Sequence, residues 1–138
     1  MSAQLRSVSI LIRDTCGRTL LQMRDGDAPS SPLVWSLWGG AIDADDAGPY
    51  ECAARELAEE LGVSANPGDF VHVGTRQSST QIALLLHYLH PLDWGRFLVK
   101  EGAGAGFFWR EEIESIPISA SLRYYLDRCA SAFSRREE

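Results

Sequence analysis

The stretch from 39 to 63 reads GGAIDADDAGPYECAARELAEELGV and contains the clearest structural signals of the chain. Proline suits the first position of a helix, so the pair Gly48-Pro49 indicates a helix start. Gly62 suits the left-handed conformation that commonly follows the last helical residue. The sequence therefore predicts a helix from about 49 to 61, preceded by a loop and a double glycine.

Three glutamates of this helix, Glu56, Glu59 and Glu60, share an arc about 100° wide at the helical rotation per residue. Like charges three and four residues apart repel by a few tenths of a kcal/mol per pair. Carboxylates are also the ligands that Mg²⁺ prefers. The helix alone leaves open whether this is a solvated acidic face or a divalent-metal site. The neighbouring arc is apolar, and we expect it to pack on a sheet: Ala53, Ala54, Leu57 and Leu61.

Strand and helix patterns alternate along the rest of the chain. Runs of aliphatic and β-branched residues predict strands at 7–14, 18–25, 33–42, 69–77, 80–92 and 107–109. The first two predict a hairpin, 101–106 predicts a loop, and 110–116 predicts a short helical turn. A last helix is indicated by an amphipathic stripe of Leu122, Tyr125, Leu126, Cys129 and Phe133. This order predicts an α/β fold with a mixed sheet between helices, in one domain over 1–138 with a frayed tail at 134–138.

The composition excludes several classes of partner. The chain has 138 residues, a formal net charge of −6 and a pI near 5.0, so it has no general attraction to nucleic-acid polymers. It lacks both the ~20-residue apolar run of a membrane span and a signal peptide, which favours a cytoplasmic protein. Three cysteines, an odd number, argue against a disulfide framework. The apolar run QIALLLHYL (81–89) suits either a single core or a homodimer interface.

The segment 39–63 resembles the Nudix box, G-x5-E-x7-R-E-U-x-E-E-x-G-U with U aliphatic. Its second half, RELAEELGV (55–63), agrees with the pattern at every specified position. The first half departs from it, since counting back from Arg55 puts alanines at the glycine and glutamate positions. One extra residue in the loop after Gly40 restores the match: Gly40 then takes the glycine position, and Asp46 takes that of the glutamate that orients the site.

The resemblance implies a Nudix-type α/β/α sandwich and a Mg²⁺- or Mn²⁺-dependent hydrolase. By resemblance, the metal ligands are the Gly40 carbonyl and the carboxylates of Glu56, Glu59 and Glu60. The segment VKEGAGAGFFW (99–109) is similar to the loop of MutT-type members that brings in a further glutamate, here Glu101. The general base implied is Glu56 or Glu59, and Arg55 orients one of the carboxylates.

The implied reaction is hydrolysis of a nucleoside diphosphate linked to another group. Signatures of the ADP-ribose, dinucleoside-polyphosphate and NADH subfamilies are absent, which leaves a (d)NTP or modified nucleotide cleaved to the monophosphate and pyrophosphate. Alternatives are a nucleotide-sugar or other NDP-X hydrolase, and a non-catalytic nucleotide-sensing module. Candidate substrate contacts are Arg24 at the end of a strand, and Trp35 and Trp38, whose rings could stack on a base. The alternatives are an ordinary surface arginine, and core or rim packing of the two tryptophans in an apolar strand.

Overall fold

The computed structural model describes residues 2–29 and 32–135. Within them the chain forms seven strands, three α-helices and two short 3-10 turns. In chain order these are β1 (Gln4–Leu11), β2 (Thr19–Met23), β3 (Trp35–Ser36), β4 (Trp38–Ala41), α1 (Pro49–Leu61), a 3-10 turn (Pro67–Asp69), β5 (Phe70–Gln77), β6 (Gln81–Tyr88), β7 (Gly104–Phe108), α2 (Arg110–Ile113), α3 (Ala120–Arg128) and a 3-10 turn (Ala130–Phe133).

The strands form two sheets that share both cores. The larger sheet has the order β4-β1-β6-β5, with β1 parallel to β6 and antiparallel to β4. The smaller sheet, β3-β2-β7, is antiparallel. The predicted mixed sheet is confirmed, and the parallel pair explains why a long connection containing α1 separates β1 from β6.

Helices cover both faces of the strands, as predicted. Successive strand residues point to opposite faces, so Ile10 and Leu11 of β1 enter different cores. One core contains Leu57 and Leu61 of α1, and the other contains Leu126 of α3. All five side chains are 0% exposed. Because α1 buries its apolar arc on the sheet, the direction of its acidic arc is fixed by packing.

The helix that carries the acids has the predicted bounds, Pro49–Leu61. Gly62 ends it in the left-handed conformation, with φ of 66°, and its N–H donates to the Ala58 carbonyl at 3.0 Å. Each end is specified by a residue at the helix terminus, Pro49 at the start and Gly62 after the end. The local sequence pattern therefore predicts both bounds accurately.

The predicted hairpin of the first two strands is only partly correct. Hydrogen bonds join the strands near their turn, where the Leu20 N–H donates to the Ile12 carbonyl at 2.9 Å. Beyond that point β1 pairs with β4 and β6, whereas β2 pairs with β3 and β7. The two strands therefore separate into different sheets, because each has better-matched partners elsewhere in the chain.

Several other boundaries differ from prediction; for example, the strand predicted at 33–42 forms two short strands, β3 and β4, and β6 ends at Tyr88. β7 begins at Gly104, inside the predicted loop, since Gly104 pairs with Met23 of β2. Trp109 lies outside β7, as the N-cap residue of α2. The last helix ends at Arg128, and Phe133 completes the apolar stripe from a 3-10 turn, where it is 1% exposed.

The C-terminal segment contacts the rest of the chain as far as it is described. Arg13 donates a hydrogen bond to the Ser134 carbonyl, and the Arg135 guanidinium lies 4.0 Å from the Trp109 ring centroid. Residues 136–138 of the predicted frayed tail lie outside the described residues. In the described part of the chain, no helix is long and apolar enough to cross a membrane.

Candidate active site

Helix α1 places its three glutamates in different environments. Glu60 is 2% exposed and Glu56 is 9% exposed, whereas the side chain of Glu59 is 49% exposed. Burial of Leu57 and Leu61 on the sheet draws the two acids nearest to them inward. The acidic arc is therefore divided between a buried pair and one glutamate at the surface.

The double glycine allows these carboxylates to approach the backbone of β4. The Gly39 N–H donates to Glu60 Oε1 at 2.9 Å. Gly39 has φ of +132°, and a Cβ there would lie 2.1 Å from the Val8 carbonyl oxygen, so only glycine fits. A Cβ on Gly40 would lie 2.5 Å from Glu56 Oε1. Gly39 is therefore required by its backbone, and Gly40 leaves the space that the Glu56 carboxylate occupies.

Arg55 joins the acidic groups of the loop and the helix. Its Nε and Nη2 each donate to one oxygen of Asp46 at 2.9 Å, a bidentate pair in which the Asp46 side chain is 5% exposed. Its Nη1 donates to Glu56 Oε1 at 3.1 Å and to both oxygens of Glu59 at 3.1 and 3.2 Å. One guanidinium thus fixes the directions of Asp46, Glu56 and Glu59 together.

The acidic groups of the site differ in pKa because their surroundings differ. The hydrogen bonds from Arg55 and from the Asp43 backbone lower the pKa of Asp46 to about 2. Burial raises the pKa of Glu60 to about 8, and nearby like charges on Glu56 and Glu101 add to that rise. Burial likewise raises the pKa of Glu56. The carboxyls of Glu56 and Glu60 are therefore buried where a negative charge is unfavourable, and a nearby cation would stabilise their ionised forms.

Glu101 reaches the same site from the segment before β7. The Gln22 side chain donates to the Glu101 carbonyl at 3.2 Å, which attaches this segment to β2. The Lys100 N–H donates to the Glu60 carbonyl at 2.8 Å, which attaches it to the end of α1. Glu101 and Glu60 line one cleft, so the predicted glutamate lies beside the buried pair.

The donor set fits a hard divalent cation, because it consists of carboxylate oxygens beside a glycine-lined backbone. The space that Gly40 leaves for the Glu56 carboxylate is specific evidence for a built acidic site. Among the described residues, however, no three His, Cys, Asp or Glu side chains already converge at metal-binding spacing. Glu59 is directed to Arg55, so its predicted role as a ligand requires it to leave that ion pair at least in part.

Two clefts meet at this acidic site. The first, of about 540 Å³, is lined by polar groups of β1, β5, β6 and α3, among them Ser7, Arg76, Gln81 and Tyr125. The second, of about 550 Å³, contains Glu60 and Glu101. Arg24 and Gly39 line both clefts. Arg24 thus lies where the two clefts adjoin, and its contact with a substrate stays a prediction.

The surroundings of the two tryptophans favour the predicted alternative of core packing over base stacking. Trp38 is 1% exposed, and its indole N–H donates to the Leu20 carbonyl at 3.1 Å, which makes its ring part of the core. Trp35 packs edge-on against Phe108, with ring centroids 4.8 Å apart. Neither ring is placed as an open stacking surface, because both indoles are occupied by apolar packing.

Sequence reasoning missed the residues that enter the site through tertiary contacts. Arg76 and Gln81 line the first cleft, and Lys100 lines the second. The sequence could have indicated Lys100 by its position, because this residue, the only lysine of the chain, directly precedes the predicted glutamate Glu101. Nothing local in sequence indicates Arg76 or Gln81, since they reach the cleft only through the pairing of β5 with β6.

Comparison with known proteins agrees with this geometry. The sequence profile of the NUDIX domain matches residues 3–116. A CTP pyrophosphohydrolase of Escherichia coli (strain K12) is 34% identical over 86 residues, which are 62% of this chain and 60% of that protein. An isopentenyl-diphosphate Delta-isomerase of Nocardia farcinica is 42% identical over 60 residues, 44% of this chain and 34% of that protein. The chain thus spans less than two thirds of the length of either curated relative.

Solved structures show the same fold over nearly the whole chain. The MutT protein from Methanosarcina mazei Go1 superposes with a TM-score of 0.73 and 25% sequence identity, covering 95% of this chain and 96% of that one. The agreement is one of fold and extends over almost all residues of both chains.

Proposed function

Because the chain belongs to the NUDIX family, we propose that it hydrolyses a nucleoside diphosphate linked to another group. The substrate that we infer is a nucleoside triphosphate or modified nucleotide, cleaved by water to the nucleoside monophosphate and pyrophosphate. The observation that carries the proposal is the buried pair Glu56 and Glu60 beside the double glycine, of which Glu60 lines the second cleft and Gly39 lines both clefts. The similarity to a CTP pyrophosphohydrolase supports the same reaction class.

We assign the metal ligands to the Gly40 carbonyl and to Glu56, Glu59, Glu60 and Glu101. When bound, Mg²⁺ or Mn²⁺ would offset the charge of the diphosphate and lower the pKa of a coordinated water. The chain's own contribution is to orient these acids, since Arg55 is bound to Asp46 and reaches both Glu56 and Glu59. Asp46 is in our proposal the residue that fixes Arg55. The proton acceptor is Glu56 or Glu59.

The two clefts divide the substrate between them. The first cleft is large enough for a nucleoside, and its hydroxyl, amide and guanidinium groups can hydrogen-bond a base and a ribose. Arg24, shared by both clefts, is placed to contact phosphates between them. The negative net charge of the protein does not prevent binding of a phosphate compound, because Arg24 and the bound cation would offset the charge of the phosphates locally.

The test is a substrate panel measured by product chromatography. It includes NTPs, 8-oxo-dGTP, nucleotide sugars, ADP-ribose and dinucleoside polyphosphates, each with and without Mg²⁺. We expect a triphosphate to give a monophosphate and pyrophosphate only with the metal. Glu59→Gln and Glu60→Gln should each lower kcat by at least about 10- to 100-fold, the loss typical even of outer partners of a metal site.

Glu51→Gln is the matched control, because Glu51 lies on the same helix but, within the described residues, bonds neither to Arg55, as Glu59 does, nor to Gly39, as Glu60 does. Full turnover by Glu59→Gln and Glu60→Gln would overturn the metal assignment. A nucleotide that raises the melting temperature with Mg²⁺ but is never cleaved would instead indicate a nucleotide-sensing module.

A further inference from the structure

The second cleft has an unusual lining for a site next to an acidic centre. Its cationic residues are Arg24 and Lys100, and its acidic residues are Asp25, Asp27, Glu60 and Glu101. Its lining contains no aromatic ring among the described residues. A second nucleoside or a sugar would have no ring to stack on here. A small anionic group such as a phosphate, which Arg24 and Lys100 can bind, fits this lining better.

Lys100 is held in this cleft by backbone contacts with the end of α1. Its N–H donates to the Glu60 carbonyl at 2.8 Å, and the Leu98 N–H donates to the Leu61 carbonyl at 3.0 Å. The stem of Lys100 lies over Gly62, where a Cβ would be 3.5 Å from Cε. The position of the side chain is thus tied to the helix that carries the acids.

The Lys100 ammonium has no ion-pair partner among residues 2–29 and 32–135, although it is near several acids. An ammonium is a compact charge with three donors, which suits the oxygens of a phosphate. Its charge is therefore available to a ligand.

We propose that Lys100 binds the terminal phosphate of a nucleoside triphosphate and so selects substrates whose leaving group is pyrophosphate. This inference rests on the proposed function, because it assigns the second cleft to the part of the substrate beyond the cleaved bond. Arg24, which lines both clefts, contacts the phosphates on the side of the nucleoside. Lys100 is thus a specificity-determining residue, and the unstacked, charged cleft around it disfavours nucleotide sugars and dinucleoside polyphosphates.

A purely structural role for Lys100 makes a different prediction. A cation near the C-terminus of a helix interacts favourably with the helix dipole. In that case replacing Lys100 would lower the melting temperature and leave the affinity for the triphosphate unchanged. The KM for a triphosphate, compared with kcat and with the melting temperature, therefore separates the two roles.

The first experiment compares Lys100→Met and Lys100→Arg with the wild-type protein. For the preferred triphosphate we expect Lys100→Met to raise KM about 10- to 100-fold, the range for loss of a charge-assisted hydrogen bond, with a smaller change in kcat. Lys100→Arg should retain most of the affinity. Arg96→Met is the matched control, since Arg96 is an exposed cation four residues before Lys100 in sequence and lines neither cleft. An unchanged KM in Lys100→Met would overturn the proposal.

The second experiment needs no turnover and uses the fact that Lys100 is the only lysine. Reductive ¹³C-methylation keeps the positive charge and gives one lysine NMR signal. The lysine signal is distinguished from that of the α-amino group by its absence from methylated Lys100→Arg. With or without Mg²⁺, inorganic pyrophosphate should shift the lysine signal, and a nucleoside monophosphate should not. A signal unmoved by saturating pyrophosphate would overturn the assignment, whereas a shift in a protein that cleaves no triphosphate would overturn only the proposed function.

Discussion

Glu60 carries a carboxyl group that is almost completely removed from water and lies near two like charges. Its pKa in the folded protein is about 8, raised mainly by burial, against an ordinary value near 4.5. Between these values the folded protein holds a proton that the unfolded chain has released. The free energy of unfolding of the metal-free protein should therefore fall as pH rises from 4.5 to 8, by up to about 1.4 kcal/mol per pH unit.

Glu60→Gln tests this at the level of one atom. The amide oxygen can still accept the Gly39 N–H, so the variant should lose most of the pH dependence and keep the hydrogen bond. Urea denaturation in EDTA at pH 5, 6.5 and 8 measures the slopes, and Glu51→Gln on the same helix is the control. A residual slope is expected from Glu56, whose pKa burial also raises. Equal slopes in wild type and Glu60→Gln would contradict the prediction.

The loop before α1 shows how an element can compensate for a shorter side chain. Eight residues separate Asp46 from Arg55, where the box pattern has seven between its glutamate and arginine. The additional residue lets the shorter carboxylate of Asp46 form its bidentate pair with Arg55. We expect deletion of exposed Ala47 to break that pair and lower kcat/KM about 10- to 100-fold, as loss of outer metal-site partners does. The same deletion combined with Asp46→Glu should restore most of the activity.

Steady-state kinetics and melting temperatures of the two single changes and their combination give the coupling energy between loop length and side-chain length. Asp45→Ala is the control, because Asp45 is an exposed acid of the same loop with no contact to Arg55 among the described residues. If deletion of Ala47 alone has no effect on kinetics or stability, loop length does not set the position of Asp46.

At the same scale, the elements differ in how far their sequence predicts them. Helix α1 is correct to the residue because Pro49 and Gly62 specify its ends locally. The first two strands are not the simple hairpin that their proximity suggests, because β1 pairs with the distant β6. The partner strands of β1 depend on which residues are buried on both faces of the sheet, and a local sequence pattern does not contain that information. For the same reason Glu101 was predictable only by resemblance, and Arg76 was not predictable at all.

At the scale of the whole molecule, the packing of helices on both faces of the strands determines which ionisable side chains are buried. α1 is packed so tightly on the sheet that Glu56 and Glu60 are buried while the chain as a whole carries a net charge of −6. Burying like charges is unfavourable unless a cation or a proton compensates them. A fold of this size, with stability of about 5–15 kcal/mol, tolerates such a site but responds measurably to anything that neutralises it.

Divalent ions should therefore raise the melting temperature of the whole domain by several degrees, since ligands that bind only the folded state stabilise it by mass action. The increase should be larger at pH 8.5 than at pH 5.5, because metal binding requires ionised carboxylates and Glu60 loses its proton near pH 8. Differential scanning fluorimetry with MgCl₂ measures the shift, and NaCl at equal ionic strength accounts for screening of the net charge. The double variant Glu56→Gln/Glu60→Gln should show no increase beyond that of NaCl. An increase of wild-type size in the double variant would place the bound ion elsewhere on the protein.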